Sequence, residues 1–178
     1  MKGPRRHRVF VDANVLIRGV TFPRFPYEVL RLAARHEIVL AISPSVLDDV
    51  RYYVRELFPD HLDKLEIFLA TGLVKIVDEP TPEEVKANHD LVRDIDDVPV
   101  VLAAVKAKVD FLVSTDTDLT DVDESTEKLR QILAPCEVMR VGSFLNEVMG
   151  WSHKALEAIS RRHWGDVKGE IWDSEEGN

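Results

Sequence analysis

Val9-Phe10-Val11-Asp12-Ala13-Asn14 is a short apolar run that stops on a carboxylate, and the same construction returns at Phe111-Leu112-Val113-Ser114-Thr115-Asp116. Each run reads as a buried strand with an aspartate at or just past its carboxyl end. Continuous apolar runs suit a parallel sheet covered on both faces, and open α/β sheets receive ligands at the carboxyl ends of their strands. Two more acidic segments stand between these runs, Ser43-Pro44-Ser45-Val46-Leu47-Asp48-Asp49 and Asp94-Ile95-Asp96-Asp97. Carboxylates brought together there would repel: two charges about 5 Å apart cost roughly 3 kcal/mol at an effective dielectric near 20. A divalent cation is the usual means of cancelling that cost. The pattern therefore points to a metal site and a hydrolase.

Outward from these runs, the apolar stretches 38–42, 73–77 and 137–141 bring the predicted strands to five, with 109–113 as the fourth. Between them the spacing predicts helices. One covers 27–36, with Val29, Leu30 and Ala33 on one face, and residues 22–26, holding two prolines, read as the loop before it. Ser43 followed by Pro44 is a cap and a first-turn proline for a helix to about residue 57. Pro59-Asp60 opens another, which Gly72 suits as a stop. Thr81-Pro82-Glu83-Glu84 opens a third by cap, proline and first-turn acids. Further helices are predicted from Pro99 through 105, over 125–133, and after a cap at Ser143.

Strands alternating with helices predict an α/β fold: three layers, α/β/α, around a central parallel sheet of about five strands. Residues 1–149 form the predicted domain. Residues 150–178 lie outside the alternation and read as a helical extension, with Trp151, Leu156, Ile159 and Trp164 as an apolar stripe on one helix, followed by an acidic tail over 173–178 that reads as disordered.

The 178 residues are enough for one domain with a full core. Hydrophobic and charged contents of 45% and 31% are ordinary for a soluble globular protein. No apolar run is long enough to span a bilayer, and the apolar run after the basic start is too short for a signal-peptide core, so no membrane association and an intracellular, cytoplasmic location are expected. The single cysteine, Cys136, rules out an intrachain disulfide and a multi-cysteine zinc site, and reads as a small packed residue. A net charge of −9 argues against a protein that coats nucleic acid by bulk electrostatics. It leaves room for local basic clusters, one at Lys2, Arg5, Arg6 and Arg8 and one at Arg161 and Arg162.

Each acidic position has a structural alternative. Asp12 suits the cap of the next helix, and Asp97 suits the cap of the helix at Pro99. One cap does not account for Asp94, Asp96 and Asp97 together. A turn after the fourth strand needs one aspartate, yet both Asp116 and Asp118 are there. Asp48 and Asp49 suit the early part of a helix through the helix dipole. Adjacent helical positions point about 100° apart, so at most one of that pair faces a shared site.

Taken in order, these segments resemble the PIN-domain family. Residues 9–16 resemble its opening strand and first acidic position, residues 43–50 its second acidic helix, residues 96–104 its third motif and residues 109–119 its fourth. The resemblance spans about residues 8–149. It carries over Asp12, Asp49, Asp97 and Asp116 as catalytic positions, with Asp94 and Asp118 as further metal ligands and Asn14, Ser114 and Thr115 as supporting or phosphate contacts. The family more often has Glu where this chain has Asp49, one methylene longer. The resemblance implies Mg²⁺ or Mn²⁺, since carboxylate oxygens suit hard cations rather than zinc, and hydrolysis of phosphodiester bonds in RNA, mostly single-stranded. It also implies an antitoxin as protein partner in the toxin branch of the family, and homodimerisation. Arg18 and Arg24, read as part of the loop after the first strand, are positioned to hold a phosphate backbone or simply to face solvent. A non-catalytic PIN-like module that binds RNA or protein is the alternative function. A phosphatase with an aspartate nucleophile fits less well, because such enzymes show Asp-x-Asp after the first strand and Asn14 stands there.

Overall fold

A computed structural model describes residues 5–121 and 123–169. Five parallel strands form its sheet, β1 (His7–Val11), β2 (Ile38–Ile42), β3 (Val74–Ile76), β4 (Phe111–Ser114) and β5 (Glu137–Arg140), in the order β3-β2-β1-β4-β5. Val9, Phe10 and Val11 are fully buried at the middle of that order, as are Leu40, Ile42, Leu112 and Val113 on the adjoining strands. Central strands of a parallel sheet are packed on both faces, so their sequences are apolar throughout rather than alternating.

Helices cover the sheet: α1 (Ala13–Thr21), α2 (Phe25–Ala34), α3 (Pro44–Leu57), α4 (Leu62–Ala70), α5 (Pro82–Ala87), α6 (Val98–Ala107), α7 (Thr117–Thr120), α8 (Glu124–Leu133), α9 (Val141–Ser143, continued by a π-turn over Phe144–Val148) and α10 (His153–Ser160). Local chemistry sets most of the starts. Ser43 caps α3 by accepting from the Val46 amide, with Pro44 in the first turn. Thr81 and Glu84 form a reciprocal capping box at α5. Gly72 ends the α4 region at φ 72°, a conformation that favours glycine.

Several boundaries differ from the sequence reading. α2 begins at Phe25, so the loop before it is confined to residues 22–24; Pro26 sits in the first helical turn, where a missing amide costs nothing. Arg18 lies on α1, not in a loop. The predicted cap at Ser143 is a residue inside α9, which starts at Val141 after Arg140. The predicted tryptophan stripe is divided: Leu156 and Ile159 are buried on α10, Trp151 precedes that helix, and Trp164 belongs to a separate 3₁₀ turn, Trp164–Asp166. The acidic tail over 173–178 and Lys2 of the basic cluster lie outside the described residues.

The segment after residue 150 is docked on the sheet-bearing part. Trp164 meets Tyr27 edge to face, with centroids 5.2 Å apart, and its indole N–H donates to the Thr21 carbonyl at 3.0 Å. The Arg162 guanidinium donates to the Pro23 carbonyl and pairs with Glu28. These contacts grip the α1–α2 loop from behind. At Gly19, an added Cβ would lie 2.6 Å from Leu30 Cδ1, so α1 and α2 approach each other at a point where a larger residue has no space.

Candidate metal centre and adjoining cleft

Chain order reverses between β1 and β4, which makes their carboxyl ends the switch point of the sheet. Val11 is in register with Val113, so Asp12 and Ser114 follow on the next rung. Ser114 is fully buried and its hydroxyl donates to Asp12 Oδ2. Asp12 Oδ1 accepts from the Val15 amide at 3.0 Å, capping α1. Asp12 is therefore a helix cap and a wall of the switch point at once. Burial drives its pKa upward; hydrogen bonds from Ser114 and from the Val15 and Thr115 amides oppose this, and the Asp116 charge adds to it.

Asp116 is fixed by its own turn. Its amide donates to Ser114 Oγ at 2.9 Å, and its Oδ1 accepts from the Asp118 amide at 2.8 Å, capping α7. Ser114 thus links the two carboxylate positions: it donates to one and accepts from the backbone of the other. Asp118 itself pairs with Arg93 at 3.0 Å.

Asp97 behaves differently. It occupies the cap position of α6 but makes no capping hydrogen bond. Its Oδ2 is buried without a hydrogen-bond partner. Its carboxyl group is pushed up to about 7, first by desolvation, then by the charges of Asp116 and Asp94, hydrogen bonding with Asp116, and the charge of Asp12. The cap explanation for this aspartate is therefore absent from the structure. Asp94, by contrast, is exposed and caps the 3₁₀ turn Ile95–Asp97 by accepting from the Asp96 amide at 3.0 Å.

The fold thus brings Asp12, Asp97 and Asp116 together, with Asp94 at their edge. Asp49 is exposed, and desolvation followed by the charges of Asp48, Asp96 and Glu79 raises its pKa. Glu79 was not among the residues singled out in the sequence. Its carboxylate accepts from the Ser45 amide at 2.9 Å and the Ser45 hydroxyl at 2.7 Å, which ties it to the first turn of α3, one turn before Asp49. The signal was legible, because Glu79 follows closely on β3, as Asp12 follows β1.

The oxygens at the switch point suit a hard dication, since carboxylates, hydroxyls and amide carbonyls are the donors at hand and no thiol or imidazole is among them. The unpartnered Asp97 Oδ2 is an acceptor that such an ion would satisfy. Among the described residues, no three His, Cys, Asp or Glu side chains already stand at metal-ligand spacing. Cys136 is buried on the other side of the strands' course, beside β5, and burial pushes its thiol up to about 12, as expected of a packed, unreactive residue.

A cleft of about 990 Å³ opens beside this acidic pocket. Asn14, Ser114, Thr115 and Thr117 line its inner end, and Arg18, Phe22, Arg24, Tyr53 and Arg140 are among the residues farther along it. Arg140 and the turn that follows β5 were not picked out as site residues. Arg140 is paired with Asp121.

Comparison with known proteins gives the family and the fold. The model of the PIN domain family matches residues 8–118, and the chain belongs to that family. PIN domains are generally nucleases. Among solved structures, the chain is similar to VapBC2 from Rickettsia felis bound to a DNA fragment from their promoter, at 18% identity and a TM-score of 0.53, over 75% of this chain and 98% of that one. It is also similar to PAE2754 from Pyrobaculum aerophilum, at 15% identity and a TM-score of 0.49, over 82% of this chain and 91% of that one. The likeness to VapBC2 is one of fold. A comparison with curated protein sequences gives no match. No helix among the described residues is long and apolar enough to cross a membrane.

Proposed function

We propose that this protein is a divalent-metal-dependent endoribonuclease that hydrolyses phosphodiester bonds in single-stranded RNA. One observation carries the reading. Asp97, half-buried with its Oδ2 enclosed and without a hydrogen-bond partner, is held at about 7 beside Asp12 and Asp116 at the switch point of the sheet. A structural aspartate would have found a donor.

Asp12, Asp97 and Asp116 would hold one or two Mg²⁺ or Mn²⁺ ions, with Asp49, Asp94 and Asp118 as outer contributors. Bound there, the cation would supply Lewis-acid chemistry toward a phosphodiester. The chain's own contribution is preorganisation. Ser114 fixes the Asp12 carboxylate through a buried hydrogen bond and accepts from the Asp116 backbone amide, while the Asp118 amide holds the Asp116 carboxylate in its turn. Asp97 is kept ready to give up its proton near neutrality and become the third anionic donor. Asn14, exposed at the start of α1, and Thr115 are at hand for phosphate oxygens.

The test is substitution of Asp12 or Asp116 by Asn. Each variant should lose Mn²⁺-dependent cleavage of single-stranded RNA while its circular dichroism matches that of the parent. Cleavage at the parental rate by both variants sinks the proposal. The similarity to a VapBC complex supports a finer version, in which the protein is a toxin, acts in the cytoplasm, and is restrained by an antitoxin, with homodimerisation as a further family habit. Residues 1–149 would then be the nuclease domain and residues 150–178 an added segment. A non-catalytic module is favoured by Asp49, an exposed aspartate whose charged neighbours are Asp48, Asp96 and Glu79. Mn²⁺ binding by a parent that cleaves nothing would select that reading.

A further inference from the structure

The cleft beside the acidic pocket is unlike the rest of this chain in its charge. The protein carries a net charge of −9, yet among the described residues no carboxylate lines the cleft and three arginines do. Of these, Arg18 and Arg24 are exposed and take part in no side-chain hydrogen bond or ion pair among the described residues. Two aromatic rings of the lining are left to solvent, Phe22 at 43% and Tyr53 at 46% exposure. Unpaired guanidinium groups beside exposed rings, with carboxylates excluded, match a strand of phosphates and unstacked bases. An amphipathic protein segment would need only the apolar part of that lining.

The wall that carries Phe22 and Arg24 is not free to drift. Residues 22–24 are the loop between α1 and α2, and the C-terminal segment holds that loop and the helix residues on either side of it. Trp164 donates to the Thr21 carbonyl, and Arg162 donates to the Pro23 carbonyl and pairs with Glu28 just beyond. The residues matched by the family model end at 118, so this brace is additional to the matched domain.

We propose, on the strength of the ribonuclease reading above, that the cleft is a subsite for an unpaired nucleotide of the RNA next to the scissile position. Its base lies against Phe22 and Tyr53, its flanking phosphates lie on Arg18 and Arg24, and the C-terminal segment acts as a brace that sets the subsite's outer wall. The inner end of the cleft, at Ser114 and Thr115, delivers the strand to Asp12 and Asp116.

The test separates this subsite from the metal chemistry by measuring binding in EDTA. A short oligouridylate labelled with fluorescein is titrated with the parent, with Phe22→Ala/Tyr53→Ala and with Arg18→Gln/Arg24→Gln, and anisotropy is read over a range of salt. The aromatic variant should bind roughly tenfold more weakly, the loss expected for a base that no longer stacks. The arginine variant should lower the slope of log K against log salt by about 1.4, two phosphate contacts at about 0.7 each for a single strand. Trp164→Ala, which keeps all four contact residues, should weaken binding less than the aromatic variant does. Binding that depends on these side chains supports the subsite even if the parent cleaves nothing with Mn²⁺, in which case only the nuclease reading falls. Three results overturn it: no binding by the parent, equal binding by parent and variants, or sedimentation showing that Phe22→Ala/Tyr53→Ala turns a dimer into a monomer, which would assign the rings to an interface between copies of the chain.

Discussion

Arg162 closes an ion pair with Glu28 across 134 positions of sequence, and its guanidinium lies over the ring of Tyr27, 5.5 Å from the centroid. Both partners are largely withdrawn from water, at 17% and 4% side-chain exposure. An ion pair so placed is held for position: each charge has left water and depends on the other. Arg162→Ala should therefore destabilise the fold by about 3 kcal/mol, because it strands the Glu28 carboxylate. Arg162→Ala/Glu28→Leu should recover most of that loss. Urea unfolding of the two variants beside the parent measures both effects, and an Arg162→Ala midpoint equal to the parent's would mean that the pair holds nothing.

The raised pKa of Asp97 sets a pH dependence for the metal-free protein. An aspartate in an unfolded chain ionises near 4, whereas folded Asp97 does so at about 7 because of desolvation and the neighbouring carboxylates. The folded state thus binds this proton more tightly than the unfolded state. Its contribution is fully present below about pH 4 and is lost as pH rises toward 7. Asp97→Asn removes the dependence. In EDTA, the variant should gain stability relative to the parent between pH 4 and 7, by on the order of 1–2 kcal/mol once the partial access of solvent is allowed for. A constant difference over that range would show that the Asp97 charge is not costly.

Mn²⁺ should reverse that penalty in the parent. A ligand present at 100 times its Kd stabilises a protein by about 2.7 kcal/mol, so the melting temperature of the parent should rise on Mn²⁺ addition. Asp12→Asn and Asp116→Asn should respond less, and a double variant should not respond at all. Equal rises in parent and double variant would place the binding of Mn²⁺ elsewhere.

Gly19→Ala tests the close approach of α1 and α2. The new methyl would meet Leu30 at 2.6 and 2.9 Å and the Pro26 carbonyl at 3.1 Å. Alanine is the better helix former by about 1 kcal/mol, but crowding of a packed core costs about 1–3 kcal/mol. Since one contact is backbone, the clash should win and the midpoint should fall. Gly19→Ala/Leu30→Val should recover part of the loss.

The parts of the fold that were legible in the sequence are those decided by neighbours in the chain. The Ser43-Pro44 start of α3, the Thr81-Pro82 start of α5 and the apolar centres of β1, β2 and β4 are legible, since each rests on contacts within a turn or on burial from both sides. The start of α2 was misplaced by two residues because Pro26 was taken as a breaker, although proline is welcome in a first turn. Trp164 was assigned to the wrong element for a different reason. Its place is set by Tyr27 and the Thr21 carbonyl, which no local pattern announces.

The candidate site divides along the same line. Asp12 and Asp116 could be picked out because a parallel sheet forces residues at its strand ends to the same edge. That Ser114 joins them and that Asp97 Oδ2 is left without a hydrogen-bond partner follow from side-chain directions fixed by packing between distant elements. The cleft was beyond reach of the sequence altogether, because its walls come from α1, the loop before α2, the end of α3 and the turn after β5. The sequence by itself determined the alternation of strands and helices and the acidic edge, both of which follow from short-range periodicity, and its motifs carried the resemblance to the family. Only the tertiary structure decided which carboxylates share a pocket and where the unpaired arginines gather, because charge and desolvation act through distances that chain order does not specify.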